Sequence, residues 1–392
     1  MRLLFLTDSY RPSRSACANR AVVLVEAMRD AGIDVQVLAS QDSLATSPDS
    51  YAKPDYVTFF PTYPLLSKTA LNRIRNNLAS CLSAIRSARS LGAFDVVLCS
   101  SPPLLLTLAA MSIASKLKAK LVLDIRDIWP DVAYEMGSFA PGSPYGRVFE
   151  RIAKRGFRKA DLVCTVSPGK VDKLRMKRSV NENDVLLAPN GLDETFVRQP
   201  ILQDTVSRYR LNSGTTCVYI GNLGLAQGLQ NLLVIAERFP NTRFLLFGSG
   251  AEEEALRRIA QNKELGNVEF CGTVDAAEAH TVLTCATLAY IPLVSSNLKD
   301  SIPTKLFEAL GSGCPVLLAA AGDAADLLDE AGLGLHVPPE DIEGQVEAFA
   351  ALAAKPYGES ERQATKNYIL AEHSRQKIAA QFSNEIKTRL AH

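Results

Sequence analysis

Short apolar runs alternate with helix-length amphipathic patterns from one end of the chain to the other, and this alternation leaves few folds open. Strand-length runs fall at Leu3–Leu6, Val35–Ala39, Val57–Phe60, Val96–Ser100, Leu121–Asp124, Leu162–Val166 and Val185–Ala188. A second series falls at Cys217–Ile220, Arg243–Phe247, Val268–Cys271, Leu288–Pro292, Val316–Ala319 and Leu335–Val337. Helical spacing separates most of them, as in Ala16–Ala31, Pro103–Leu117, Gly228–Arg238 and Thr304–Leu310. Strands joined by helical crossovers pair in parallel and are covered on both faces, which is why the runs are apolar throughout. A chain of 392 residues is too long for one ordinary domain of this kind, so two doubly wound α/β domains are expected. The turn Pro189-Asn190-Gly191-Leu192-Asp193 and the polar segment Glu194–Ser213 mark the boundary, giving domains 1–195 and 196–373. Ligands of such sheets bind outside the carboxyl ends of the strands.

Composition narrows the class. Hydrophobic residues make 47% and charged residues 22% of the chain, as in a soluble globular protein. The longest apolar run, Pro102–Ala114, falls short of the ~20 residues that span a bilayer. Met1–Leu6 leads straight into Thr7-Asp8 with no signal-peptide pattern, so a cytoplasmic protein is expected. The eight cysteines form no C-x-x-C pair and read as reduced, mostly buried thiols, and the four histidines have no ligand spacing, so no metal site is expected.

A net charge of +1 argues against nucleic-acid binding, yet it conceals an asymmetry. Residues 1–195 hold 26 Lys+Arg against 19 Asp+Glu, and the remainder 17 against 23. Lys68, Arg73, Arg75, Arg86 and Arg89 follow helical spacing with Leu71, Ile74, Leu78, Leu82 and Ile85, and no acidic residue lies between Asp55 and Asp95. A second basic stretch holds Lys154, Arg155, Arg158, Lys159, Lys170, Lys173, Arg175, Lys177 and Arg178. Two readings stand: solvated helix faces, or a surface that rests on anionic lipid or an anionic acceptor.

The chemistry concentrates at Asp300–Val316. Asp300 lies in a loop and Glu308 inside a short helix that ends at glycine before a buried strand. Loop N–H groups and Lys305 at the helix start suit an anion such as pyrophosphate, and Glu308, about one turn further in, can accept hydrogen bonds from ribose hydroxyls. Three glycine turns follow strands in the same domain: Gly221-Asn222-Leu223-Gly224 with Gln227-Gly228, then Gly248-Ser249-Gly250, then Gly272-Thr273-Val274. Glycine lets backbone approach a ligand, although such turns are also common as plain strand exits. Together with the Asp300–Glu308 corner they suggest a nucleotide-sugar site.

These motifs, in this order and spacing over nearly the whole second half, resemble the donor domain of GT4-type retaining glycosyltransferases. The similarity is strongest to the branch that builds bacterial O-antigen, capsule and exopolysaccharide. Phe5–Pro12, Asp124–Asp131, Val166-Ser167 and Pro189–Asp193 fit the same family in the first half. The resemblance implies a GT-B fold: a Rossmann-like acceptor domain, a Rossmann-like donor domain, and a final helix, 374–392, packed back on the first. It implies a retaining hexosyltransferase that needs no metal or other cofactor. Its donor would be a nucleotide sugar, of the UDP type, and its acceptor a lipid-linked saccharide in surface polysaccharide or lipopolysaccharide synthesis. Such an enzyme would work in the cytoplasm or peripherally on the inner membrane face.

Carried over by position, Asp300 and Glu308 hold the two ends of the family's E-x7-E pattern, with Asp in place of the first Glu. Glu308 would bind ribose and Asp300 lie near the donor sugar. Ser301-Ile302-Pro303 would offer backbone donors, Lys305 a charge, and Thr273 and Val274 contacts to the base. Gly221, Asn222, Gly224, Gln227 and Gly248 complete the donor set, and Arg14, Ser15, Ala16, Arg20 and Arg126 would face the acceptor or the phosphate. Two departures stand out. Asn222 and Gln227 occupy the places of a basic pair in many relatives, which leaves more of the diphosphate charge to Lys305 and backbone N–H groups. Ser15-Ala16 stands where a glycine pair is usual. A front-side displacement would suit retention, with Asp127 as the favoured acceptor carboxylate. Competing readings are a nucleotide-sugar epimerase of the same fold and a non-catalytic nucleotide-sugar-binding protein.

Overall fold

The computed structural model describes residues 1–13, 15–45, 51–62, 70–178, 180–354 and 357–390, without the side chains of residues 70, 71, 73 and 74. Arg14 and Lys68, with the side chains of Leu71, Arg73 and Ile74, therefore lie outside the described residues. Two compact units result, one of Met1–Asn190 with Gln376–His392 and one of Gly191–Arg375.

The first unit holds seven parallel strands: β1 (Arg2–Thr7), β2 (Asp34–Ser40), β3 (Val57–Phe60), β4 (Val96–Ser101), β5 (Lys120–Ile125), β6 (Leu162–Thr165) and β7 (Val185–Leu187). They are ordered β3-β2-β1-β4-β5-β6-β7. Successive side chains of a strand point to opposite faces, and here both faces are core. Leu3 and Phe5 join one hydrophobic cluster while Leu4 and Leu6 join the other. The continuous apolar runs of the sequence follow from that double burial. The final helix, Arg375–Leu390, places Ile378, Phe382 and Ile386 in the cluster of β1, β2 and the helix Ala16–Asp30, so its apolar stripe covers the first sheet.

The second unit holds six parallel strands: β8 (Thr216–Ile220), β9 (Arg243–Phe247), β10 (Val268–Gly272), β11 (Leu288–Pro292), β12 (Val316–Ala319) and β13 (Gly334–Val337), ordered β10-β9-β8-β11-β12-β13. The order reverses between β1 and β4 in one sheet and between β8 and β11 in the other. At such switch points the loops leaving adjacent strands diverge and open a crevice at their carboxyl ends.

The polar segment Glu194–Ser213 differs from its sequence reading. It contains the helices Glu194–Val197 and Gln203–Arg208, and Phe196, Val206 and Leu211 are buried. Three anchoring apolar residues suffice to dock a stretch whose composition reads as a linker. The division between units accordingly falls at Asn190/Gly191 instead of after residue 195.

Candidate functional site

In the second unit, the turns leaving β8, β9 and β10 are stitched together by their backbones. Gly221 N–H donates to Phe247 O at 2.9 Å, Leu223 N–H to Ser249 O at 3.0 Å, and Gly248 N–H to Gly272 O at 2.7 Å. A Cβ on Gly248 would stand 1.8 Å from the Gly221 carbonyl oxygen, so this glycine is required by the packing of two turns, whatever binds beside them. The turns line a cavity of about 360 Å³ bounded by Ile220, Gly221, Asn222, Phe247, Gly248, Ser249, Thr273 and Val274. Five residues expected at a donor site, Gly221, Asn222, Gly248, Thr273 and Val274, thus share one cavity. Ser249 was not singled out from the sequence, although it sits inside a motif that was.

Beside this cavity the helix Thr304–Gly311 starts with Pro303 at its N-cap and no side-chain cap. First-turn N–H groups of a helix have no acceptor within the helix. The loop before it is a poorer source of donors than its sequence suggested. Ser301 N–H is already given to Leu298 O at 3.1 Å and Pro303 has none, so Ile302 carries the remaining N–H of this tripeptide. Asp300 is half-buried in the preceding turn.

Lys305 extends from the helix start to the β8 turn. Its Nζ donates to Tyr219 Oη at 3.0 Å and to Gln227 Oε1, and stands 4.3 Å from the centre of the Tyr219 ring. Gly221 shares this point, since a Cβ there would meet Tyr219 Oη at 3.4 Å and Lys305 Nζ at 3.6 Å. Burial pulls the Lys305 pKa down to about 7, with Glu308 opposing the shift. Burial likewise raises the pKa of Glu308, against the pull of Arg375 and Lys305. The Glu308 carboxylate accepts no hydrogen bond among the described residues. A cation and a carboxylate one helical turn apart, both partly buried, with the cation reaching Gly221 at the cavity's edge, suit an anionic ligand that also bears hydroxyl groups. Gly224 and Gln227 shape the same turn, Gln227 N–H donating to Gly224 O at 3.0 Å.

The first unit uses its charges differently. Arg20 lies almost wholly inside, donating through Nη2 to Asp124 Oδ1 at 2.9 Å and through Nη1 to Pro189 O at 3.1 Å. Burial pushes the Asp124 pKa up, but Arg20, Arg126 and the Ser100 hydroxyl hold it below the usual carboxylate range. Arg20, expected to face acceptor or phosphate, thus braces the ends of β5 and the segment after β7. Arg126 is half-buried, bonded to Ser100 Oγ at 3.2 Å and Pro102 O at 2.8 Å. Ser15 caps the helix Ala16–Asp30, accepting from Ala18 N–H at 3.2 Å, and Ala16 opens it. Asp131 pairs with Arg178. Of the carboxylates 124, 127 and 131, Asp127 forms no ion pair among the described residues and is half-exposed just past β5. Asp8, at the end of β1, escaped the sequence reading; desolvation and Asp42 raise its pKa while Arg126 lowers it. Among the described residues no three His, Cys, Asp or Glu side chains converge as metal ligands would.

Two parallel doubly wound sheets define a GT-B architecture, and solved structures share it. Sucrose-phosphate synthase from Thermosynechococcus elongatus superimposes with a TM-score of 0.82 at 19% identity, covering 100% of both chains. Anabaena HepE, solved in complex with UDP-glucose, gives 0.72 at 14% identity over 99% of this chain and 100% of its own. A family model described as Glycosyl transferase 4-like domain matches residues 15–191, and one described as Glycosyl transferases group 1 matches residues 210–370. The chain belongs to the glycosyltransferases built from this pair of domains. It is 23% identical over 254 residues to the probable glycosyltransferase WbjE of Pseudomonas aeruginosa, a match that spans 63% of each chain. It is 24% identical over 299 residues to the putative colanic acid biosynthesis glycosyl transferase WcaI of Escherichia coli, spanning 73% of this chain and 72% of the relative.

Proposed function

We propose that this protein transfers a sugar from a nucleotide diphosphate donor, of the UDP type, to a saccharide acceptor carried on lipid, in bacterial surface polysaccharide synthesis. The observation that carries the reading is Lys305, held at a helix start over the β8 turn with Glu308 one turn behind it. In transfer, the bond from the anomeric carbon to the phosphate oxygen breaks, a bond to the acceptor oxygen forms, and the acceptor's proton passes to the departing phosphate. Charge develops on the diphosphate, where Lys305 and the helix N-terminus stabilise it without a metal. Glu308 holds the ribose, the 220–222 and 273–274 turns hold the base, and Asp127 orients the acceptor. HepE binding UDP-glucose and the WcaI likeness support donor and pathway.

Transfer by the purified protein, with chelator present, from a panel of UDP-, GDP- and dTDP-sugars to a lipid-linked acceptor tests this. NMR of the product should show the donor's anomeric configuration kept; inversion would remove the front-side route. Hydrolysis and transfer both absent across the panel would favour the non-catalytic reading, and a changed sugar released from the donor would favour the epimerase.

Contact with an anionic membrane is a further part of the proposal. No helix of the described residues is long and apolar enough to cross a bilayer. The helix Pro144–Lys159 exposes Arg147, Arg151, Lys154, Arg155, Arg158 and Lys159, with Tyr145 44% and Val148 49% exposed among them. Its one acidic residue, Glu150, pairs with Arg178. The helix Ala70–Ala88 shows Arg75, Arg86, Leu78 and Leu82 to solvent on the same side of the sheet. Basic groups with interspersed apolar ones fit an anionic lipid surface. Flotation with anionic liposomes should retain the protein and lose it at high salt, whereas equal binding to neutral vesicles would remove the electrostatic explanation.

A further inference from the structure

A tyrosine in the middle of a buried strand needs a partner for its hydroxyl, because burying it unpaired is costly. Tyr219 in β8 has no exposed surface, and its partners are telling. The hydroxyl donates to the Asn222 carbonyl at 2.6 Å and accepts from Lys305 Nζ at 3.0 Å. With its one proton given to Asn222, the oxygen faces Lys305 as an acceptor only. Its ring supports the same ammonium from 4.3 Å. Gln227 Oε1 supplies the second acceptor. Three donors on an ammonium and two internal acceptors leave one N–H for a ligand. One hydroxyl therefore ties the turn that carries Gly221 and Asn222 to the cation at the start of the Thr304–Gly311 helix, across 86 residues of sequence.

We infer that Tyr219 is a positioning residue for the donor's diphosphate: its hydroxyl, seated between the Asn222 carbonyl and Lys305, fixes the cation and the glycine turn at one point. The inference rests on the donor-site reading above. It assigns Gln227 a matching task, since an uncharged acceptor there holds the Lys305 ammonium in place, where a second cation would repel it.

The test is calorimetry with UDP and with uridine on the wild type, Tyr219→Phe, Lys305→Met and the double variant. Phenylalanine keeps the ring and removes only the hydroxyl. UDP affinity should fall about tenfold in Tyr219→Phe, the order expected for a lost hydrogen bond to a charged group. Uridine affinity should stay within about twofold, because the base and ribose contacts do not use Lys305. In the Lys305→Met background, Tyr219→Phe should add nothing further. Taking the ratio of UDP to uridine on one preparation cancels any loss of folded protein. An unchanged UDP affinity in Tyr219→Phe, an equal loss for both ligands, or an undiminished effect in the double variant overturns the inference while leaving the donor site standing. If Lys305→Met binds UDP like wild type, or the wild type binds neither ligand, the donor-site reading fails and this inference with it.

Discussion

Each sheet carries a cation and a carboxylate close to the carboxyl ends of its strands, and the two pairs are built for opposite purposes. Arg20 and Asp124 meet directly at 2.9 Å, both nearly devoid of exposed surface, with Ser100 satisfying the second carboxylate oxygen at 3.0 Å. Their hydrogen-bonding groups are engaged inside the fold, and Arg20 with its neighbours holds the Asp124 carboxyl below the usual carboxylate range. Lys305 and Glu308 do not bond each other, and burial presses both toward their neutral forms. The first pair is satisfied by the protein itself, while in the second Lys305 keeps one N–H beyond Tyr219 and Gln227, and Glu308 its carboxylate, for a partner that supplies charge and hydroxyl groups. Tertiary structure makes the distinction; the residue types alone do not.

Breaking the pairs should therefore give opposite results. Asp124→Ala leaves Arg20 as an uncompensated buried charge and should destabilise the first unit by about 3–5 kcal/mol, seen as a large drop in the urea midpoint. The wild-type pair's contribution is present above the usual carboxylate pKa and is lost as pH falls through the lowered pKa of Asp124, so the gap between wild type and variant should narrow in acid. A variant as stable as wild type at pH 7 would mean that the pair is incidental. Glu308→Ala should do the reverse. Removing a carboxylate whose ionised form is disfavoured by burial should leave the melting temperature unchanged or raised, yet transfer should fall by 100-fold or more, as expected when a buried polar substrate group loses its only partner. Wild-type turnover in Glu308→Ala would remove it from the site.

The same contrast explains what the sequence revealed. Strand segments such as Arg243–Phe247 and Val316–Ala319 match their apolar runs residue for residue, because a parallel strand buried on both faces announces itself by composition. The Asp300–Glu308 corner was legible because a loop, a helix start and a carboxylate one turn in are local in sequence. Tyr219 was not, since a tyrosine in an apolar strand looks like core until Lys305 is brought to its hydroxyl from 86 positions away. Arg20 misled for the same reason. Its partner lies 104 residues on, and nothing local separates an arginine that braces a strand end from one that meets a phosphate. Gly248 also reads differently once the Gly221 carbonyl is seen against it.

The smallest effect is the most discriminating, because arginine does not titrate and Lys305 does. In the empty site Lys305 changes charge at about pH 7, whereas a bound diphosphate would hold its proton to higher pH. Below pH 7 the ammonium is present both before and after binding, so affinity for a nucleotide sugar, whose diphosphate keeps its charge over this range, should be nearly flat. Above pH 7 binding must take up a proton, and affinity should fall by at most about tenfold per pH unit. Calorimetry in two buffers of different ionisation enthalpy should show proton uptake at pH 8 and little at pH 6. Over the window from about 7 to the ordinary lysine value of 10.5, the empty domain should also grow more stable as pH rises, since there the unfolded chain keeps a proton that the folded one has released. Lys305→Arg, charged throughout, should flatten the binding profile even if it binds more weakly, whereas Arg20→Lys in the first unit should leave the profile as it was. A wild-type affinity that ignores pH from 6 to 9 would place Lys305 outside the anion's reach and erase the distinction between the two pairs.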